Sequence, residues 1–172
     1  MLLQEAIRNH RFLNAIFEFT PRNSPEYNGR CERKFSFLWS CLRSISNAAK
    51  LPDTLRKGLW TSAARYAELV SNSLVTKHKK DVGCSYNQFH KKAWDLFPNL
   101  RPFGTMAVVT TKEPIQSKLD QKGTPMIYVG PALNHAKDVY RFLNPTTQKF
   151  VESRDVVWMN QMYGDWKGLS PP

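Results

Sequence analysis

The sequence predicts an α+β fold, two long helices followed by a small β-barrel, and three observations carry that prediction. Apolar residues recur in steps of three and four between positions 30 and 75, the mark of helices with one buried stripe. From position 105 onward, short β-rich runs are separated by Gly, Pro and Asn. The 172 residues fit one ordinary domain or two small ones, and an apolar share of 41% is enough to bury a core.

Residues 2–13 read as a short helix, with Leu2, Leu3, Ala6, Ile7 and Leu13 as its apolar positions. Ala15 to Thr20 alternate weakly and read as a strand. Two prolines and three small polar residues then make 20–25 a loop. The first long helix follows. Asn28 suits its N-cap, and Cys31, Phe35, Leu38, Trp39, Leu42, Ile45 and Ala49 form its stripe up to Lys50. Pro52 ends it, and Asp53 can cap the second helix. That helix runs to about Val75, with Leu55, Leu59, Trp60, Ala63, Tyr66, Ala67, Val70 and Leu74 inside. Phe35, Trp39 and Trp60 lie on these stripes and are expected in the core.

Residues 77–100 form a basic connector, with one helical turn at Ser85 to Lys91. Strands are expected at 105–111, 125–130, 139–143, 149–153 and 155–159. Five short strands in so small a span favour a strongly bent barrel over 101–160. Tyr128 and Trp158 fall on strands and belong to the core, whereas Trp94 and Trp166 lie outside periodic segments and suit contact with a partner. Residues 161–172 read as a tail. The organisation is therefore 1–76, 77–100, 101–160 and 161–172.

Charge narrows the function. The chain carries 25 basic and 14 acidic side chains, a net +11. Residues 1–52 hold 8 against 4, residues 53–104 hold 9 against 4, and residues 105–172 hold 8 against 6, so the excess sits in the first two-thirds. Arg30, Arg33 and Lys34 make one cluster, and Lys77, Lys79, Lys80, Lys91 and Lys92 make another. Such clusters suit a polyanion, because neutralised phosphates release condensed counterions; the plainer alternative is a basic surface kept for solubility. No apolar run is long enough for a membrane span. The start lacks a signal-peptide core, so an intracellular protein is expected. Cys31, Cys41 and Cys84 are too few and too scattered for a disulfide scaffold. His78, Cys84 and His90 are spaced too widely for an ordinary zinc site.

The most informative stretch is Pro25-Glu26-Tyr27-Asn28-Gly29-Arg30-Cys31-Glu32-Arg33-Lys34. Pro and Gly turn the backbone, Asn28 caps, and Glu32 falls near the positive end of the helix. A carboxylate there stays ionised and could serve as an oxygen ligand for Mg²⁺. Residue physics by itself favours a glutamate that merely complements the helix dipole.

The pattern Pro-x-x-Asn-Gly-x-x-Glu-Arg resembles the end of the integrase catalytic core in copia-type LTR retrotransposons. The resemblance continues through Leu55-Arg56-Lys57-Gly58-Leu59-Trp60, Leu100-Arg101-Pro102-Phe103-Gly104, Ser117-Lys118-Leu119-Asp120 and Tyr128-Val129-Gly130. It ends in Tyr140-Arg141-Phe142-Leu143-Asn144-Pro145 and Ser153-Arg154-Asp155-Val156-Val157-Trp158. It implies an incomplete RNase H-like core over 1–76 and an SH3-like barrel over 101–160. It also makes Glu32 the third acid of a D,D,E triad that holds Mg²⁺ or Mn²⁺ in the complete integrase. Asn28, Arg30, Arg33, Lys34 and the connector lysines would then contact DNA. Tyr27 stands where family members more often carry glutamine. No aspartate precedes Asp53, so the triad's other two acids are not in this sequence. The implied role is a part of a Pol polyprotein that binds DNA during integration, in the nucleus and alongside other integrase subunits. Alone, the chain is expected to hold no metal stably and to be inactive. Two alternatives stay open: a non-enzymatic basic DNA-binding module, and an interaction protein whose barrel binds protein partners.

Overall fold

A computed structural model of the chain describes residues 28–75, 83–91, 97–110 and 122–169. The helix, strand and loop expected over 2–25 lie outside them, as do Tyr27 and Trp94. The chain divides into two compact units, Met1–Ser36 and Phe37–Pro172. In the first, the described residues open helix α1, which runs Gly29–Ala48. A second helix, α2, runs Asp53–Ser73. Both expected helices are present. The expected cap differs: Pro52 takes the N-cap position in an extended conformation, and no side chain caps the helix. Asp53 is the first helical residue, where its negative charge meets the positive end of the helix dipole.

The second unit contains a five-stranded antiparallel sheet. Its strands are β1 (Thr105–Thr110), β2 (Gly123–Pro131), β3 (Tyr140–Leu143), β4 (Phe150–Ser153) and β5 (Val156–Met162), in the order β4-β3-β2-β1-β5. All five expected strands occur. The expected barrel is corrected, because no pairing among the described residues joins β4 to β5 and the sheet keeps two edges. It is nevertheless strongly curled. Tyr140 and Phe142 on β3 meet Trp158 on β5 with ring centroids 5.1 and 5.8 Å apart, although β2 and β1 lie between. Three strand spacings of a flat sheet would separate them by roughly 14 Å. Ala107 makes the curl possible: it pairs with both Met126 and Trp158, and its small side chain leaves room for the rings to meet.

The helices and the sheet share one core. α2 lies against β2 and buries Leu55, Leu59, Ala63, Tyr66 and Ala67. All but Ala67 join Phe103, Met106, Ile127, Tyr128 and Phe142 in a single cluster. Tyr66 meets Phe103 at 5.6 Å and the edge of Tyr128 at 6.4 Å. The buried stripe of α2 and the strands therefore contribute to one core. Between helix and sheet the chain forms a short helix, α3 (Ser85–His90), where one turn was expected, and a 3₁₀ turn, Phe97–Asn99. Among the described residues every strand lies between 105 and 162, and none belongs to an RNase H-like core.

Two expectations about the periphery are overturned. The described part of the tail expected over 161–172, residues 161–169, carries regular structure. β5 continues to Met162, and helix α4 (Tyr163–Lys167) follows with Tyr163 buried. Two glycines allow this end of the chain to dock. A Cβ on Gly164 would come within 2.1 Å of the Lys50 Cβ, and one on Gly104 within 2.3 Å of the Ala49 Cβ. The backbone bonds there are correspondingly close: Gly164 N–H donates to the Ala49 carbonyl at 3.1 Å and Tyr163 N–H to the Gly104 carbonyl at 2.9 Å. Lys50 adds an ion pair with Asp165. Trp166, offered as a partner contact, is half-buried against the core instead.

The second correction concerns Phe35, Trp39 and Trp60, which are 62%, 52% and 52% exposed rather than buried. Helical periodicity shows which residues share a face, not whether anything covers that face. Trp39 and Trp60 stack on each other, with centroids 6.3 Å apart and planes 20° from parallel. Tyr128 is fully buried and Trp158 half-buried in the core, as expected.

Candidate nucleic-acid interface

The first cluster sits on the opening turns of α1. Asn28 directly precedes Gly29, the first helical residue. Arg30, Glu32, Arg33 and Lys34 are all exposed. At about 100° per residue, Arg30 and Lys34 share one face, one turn apart. Glu32 falls on nearly the opposite face, with Arg33 between. The helix therefore separates the acid from two of the three cations near it in sequence. Glu32 is the acidic residue of the first turn and remains open to solvent rather than buried against a cation.

That position does not make a metal site. Hard cations need several oxygen ligands in fixed geometry. Among the described residues no group of three or more His, Cys, Asp or Glu side chains could hold an ion. One exposed carboxylate does not fit Mg²⁺, so no catalytic step follows from these residues. Cys84 is buried, and His90 lies 4.1 Å from the Tyr86 ring, centroid to centroid. His78, the third residue of that spacing, lies outside the described residues.

Of the second cluster only Lys91 is described. It is exposed and takes a left-handed conformation (φ 52°) that ends α3. Lys77, Lys79, Lys80 and Lys92 lie outside the described residues, as does the Ser117–Asp120 motif.

The sheet shows a concentration of charge that sequence reasoning missed. A pocket of about 120 Å³ opens between α2 and the β2–β3 side of the sheet. Ser62, Arg65, Tyr66 and Leu69, one stripe of α2, form one wall. Gly130, Arg141, His135 and Glu152 are on the other. Gly130, Arg141 and Glu152 stand side by side across the β2, β3 and β4 ladders. His135 pairs with Glu152 at 2.9 Å. The Arg141 guanidinium lies 4.4 Å from the Phe150 ring, and its buried Nε has no hydrogen-bond partner. No sequence signal joins Arg65 to Arg141, since helix and strand packing alone brings them together.

Two phenols mark the floor of the core. The Tyr66 hydroxyl donates to the Arg101 carbonyl at 2.8 Å, and burial pushes its pKa up to about 12. The Tyr128 hydroxyl lies near the same backbone without hydrogen-bond geometry, and burial raises its pKa further.

Residues 105–171 match the retroviral polymerase SH3-like domain. Over 145 residues, 82% of its length, the chain is 28% identical to "Retrovirus-related Pol polyprotein from transposon TNT 1-94" of Nicotiana tabacum. The chain is thus similar to a retrotransposon Pol polyprotein. It spans about a tenth (10%) of the length of that relative. The aligned stretch is far longer than the SH3-like match, so the likeness reaches well into the helical half. No solved structure matches the chain.

Proposed function

We propose that this chain is the part of a retrotransposon integrase region that binds DNA through its basic surfaces and contributes one acid, Glu32, to a catalytic centre completed by other residues. The observation that carries the reading is the likeness to a Pol polyprotein over both halves of the chain, together with the Pro-x-x-Asn-Gly-x-x-Glu-Arg pattern at the start of α1. The geometry supports it in two ways. Glu32 is open to solvent at a helix start, where a cation held by further acids could reach it. Arg30 and Lys34 project together from the other side, where they can meet phosphates.

By itself the chain acts as a non-enzymatic DNA-binding module. Phosphoryl transfer at DNA needs bound divalent ions to activate the attacking oxygen and stabilise the leaving one, and one carboxylate does not hold them. When the remaining acids are present, the ions supply that activation. What this chain's own residues do is bind and orient the DNA strand.

Two measurements test the proposal. Arg30→Gln combined with Lys34→Gln should weaken duplex binding by roughly tenfold, about two lost phosphate contacts. Unchanged affinity would remove α1 from the interface. Incubating the chain with Mg²⁺ or Mn²⁺ and a labelled oligonucleotide should yield no strand transfer. Transfer that Glu32→Gln abolishes would overturn the non-catalytic account.

A further inference from the structure

We infer that the pocket between α2 and the β2–β3 side of the sheet is a binding subsite for a single phosphate group, held by the guanidinium groups of Arg65 and Arg141.

Three observations lead there. The first is unsatisfied charge. Arg65 and Arg141 both line the pocket, and among the described residues neither forms an ion pair. The nearest acid, Glu152, stands opposite Arg141 on the ladder but is engaged by His135. The second is the Arg141 Nε, which is buried and has no hydrogen-bond partner. Buried donors are almost always satisfied, and this one belongs to a side chain that lines the pocket, which points to a missing acceptor. The third is size. A volume of about 120 Å³ is below the range of whole-ligand pockets and holds one compact group.

The chemistry favours phosphate over carboxylate. A single guanidinium satisfies a planar carboxylate with two parallel bonds. Here the two arginines line the pocket from a helix and from a strand, which suits a tetrahedral group with oxygens on several sides. Phe150 lies against the Arg141 guanidinium and holds it in place without neutralising it. Gly130 contributes space: its φ of 132° belongs to glycine, and a side chain there would be strained beside the Tyr66 ring. The group could be a backbone phosphate of nucleic acid or a free phosphate. The nucleic-acid source rests on the function proposed above, whereas the phosphate chemistry does not.

The experiment uses the full 172-residue chain labelled with ¹⁵N. The Nε–H resonance of Arg141 is followed during titration with inorganic phosphate and, separately, with a short DNA duplex. Phosphate should shift that resonance saturably at millimolar concentration, and Arg65→Gln should weaken the effect roughly tenfold. Arg65 is exposed, so its replacement leaves the core intact. Competition between duplex and phosphate identifies the backbone as the source. A shift with phosphate but none with duplex supports the subsite with free phosphate as its ligand and counts against DNA at this face. If the duplex binds while the Arg141 resonance answers neither duplex nor phosphate, the subsite is overturned and the DNA-binding function stands; a phosphate response that Arg65→Gln leaves unchanged overturns it too. A resonance that does not respond to phosphate overturns it as well.

Discussion

Two tyrosines that look alike in the sequence differ in what their hydroxyls do. The Tyr66 hydroxyl donates to the Arg101 carbonyl, whereas the Tyr128 hydroxyl is buried without a partner. Tyr66→Phe should therefore destabilise the chain by about 1 kcal/mol, the usual net value of such a bond. Tyr128→Phe should be neutral or stabilising, because it removes a polar atom that burial has stripped of water. Chemical denaturation of the two variants checks the contrast, and equal losses would refute it. This difference is invisible in sequence, where both residues occupy core positions. Burial of Tyr128 was legible from its strand. The partner of Tyr66 was not, because it lies 35 positions away and is met only through the fold.

Among the elements, the strands were the most legible. Turn residues bracket each of them, and the turns show why. Asn144 accepts hydrogen bonds from the Thr146 and Thr147 N–H groups, closing the β3–β4 connection. The helices were legible in extent but not in what covers them, as Trp39 and Trp60 show. The least legible element was α4, a five-residue helix without a periodic pattern. Its position comes from contacts at Gly104 and Gly164, and close approach of two backbones leaves no local signature beyond the glycine itself. Gly164→Ala should cost about 1–3 kcal/mol, since the added carbon meets Lys50 backbone as well as its side chain. A melting temperature unchanged from wild type would show that α4 does not pack as described. Leu59→Ala, in the buried stripe of α2, should cost about 2–5 kcal/mol and loosen the sheet with the helix. Selective loss of helical signal with the sheet retained would contradict a shared core.

For the whole molecule, the shared core has a consequence at high pH. The folded chain holds the Tyr66 proton more tightly than the unfolded chain, with a pKa of about 12 against an ordinary 10.0. The stability this represents is complete below pH 10 and is lost as the pH rises toward 12, and Tyr128 adds to it in the same direction. Each tyrosine contributes a slope of up to about 1.4 kcal/mol per pH unit in that window. Thermal melts at stepwise higher pH should show it, with a shallower fall in Tyr66→Phe. Charge is the other property of the whole chain. A net +11 acts at long range on any polyanion and was readable from composition. Its three-dimensional grouping was not. Glu32 is turned away from Arg30 and Lys34, and Arg65 and Arg141 come to line one pocket only after folding. The most direct measurement of the central claim is the affinity of this chain for a labelled DNA duplex as salt is raised. DNA binding through basic surfaces predicts that log affinity falls linearly with log salt, with a slope of about −0.9 for every phosphate contacted, whatever the duplex sequence. Absence of binding at low salt, or an affinity that salt leaves unchanged, would contradict it.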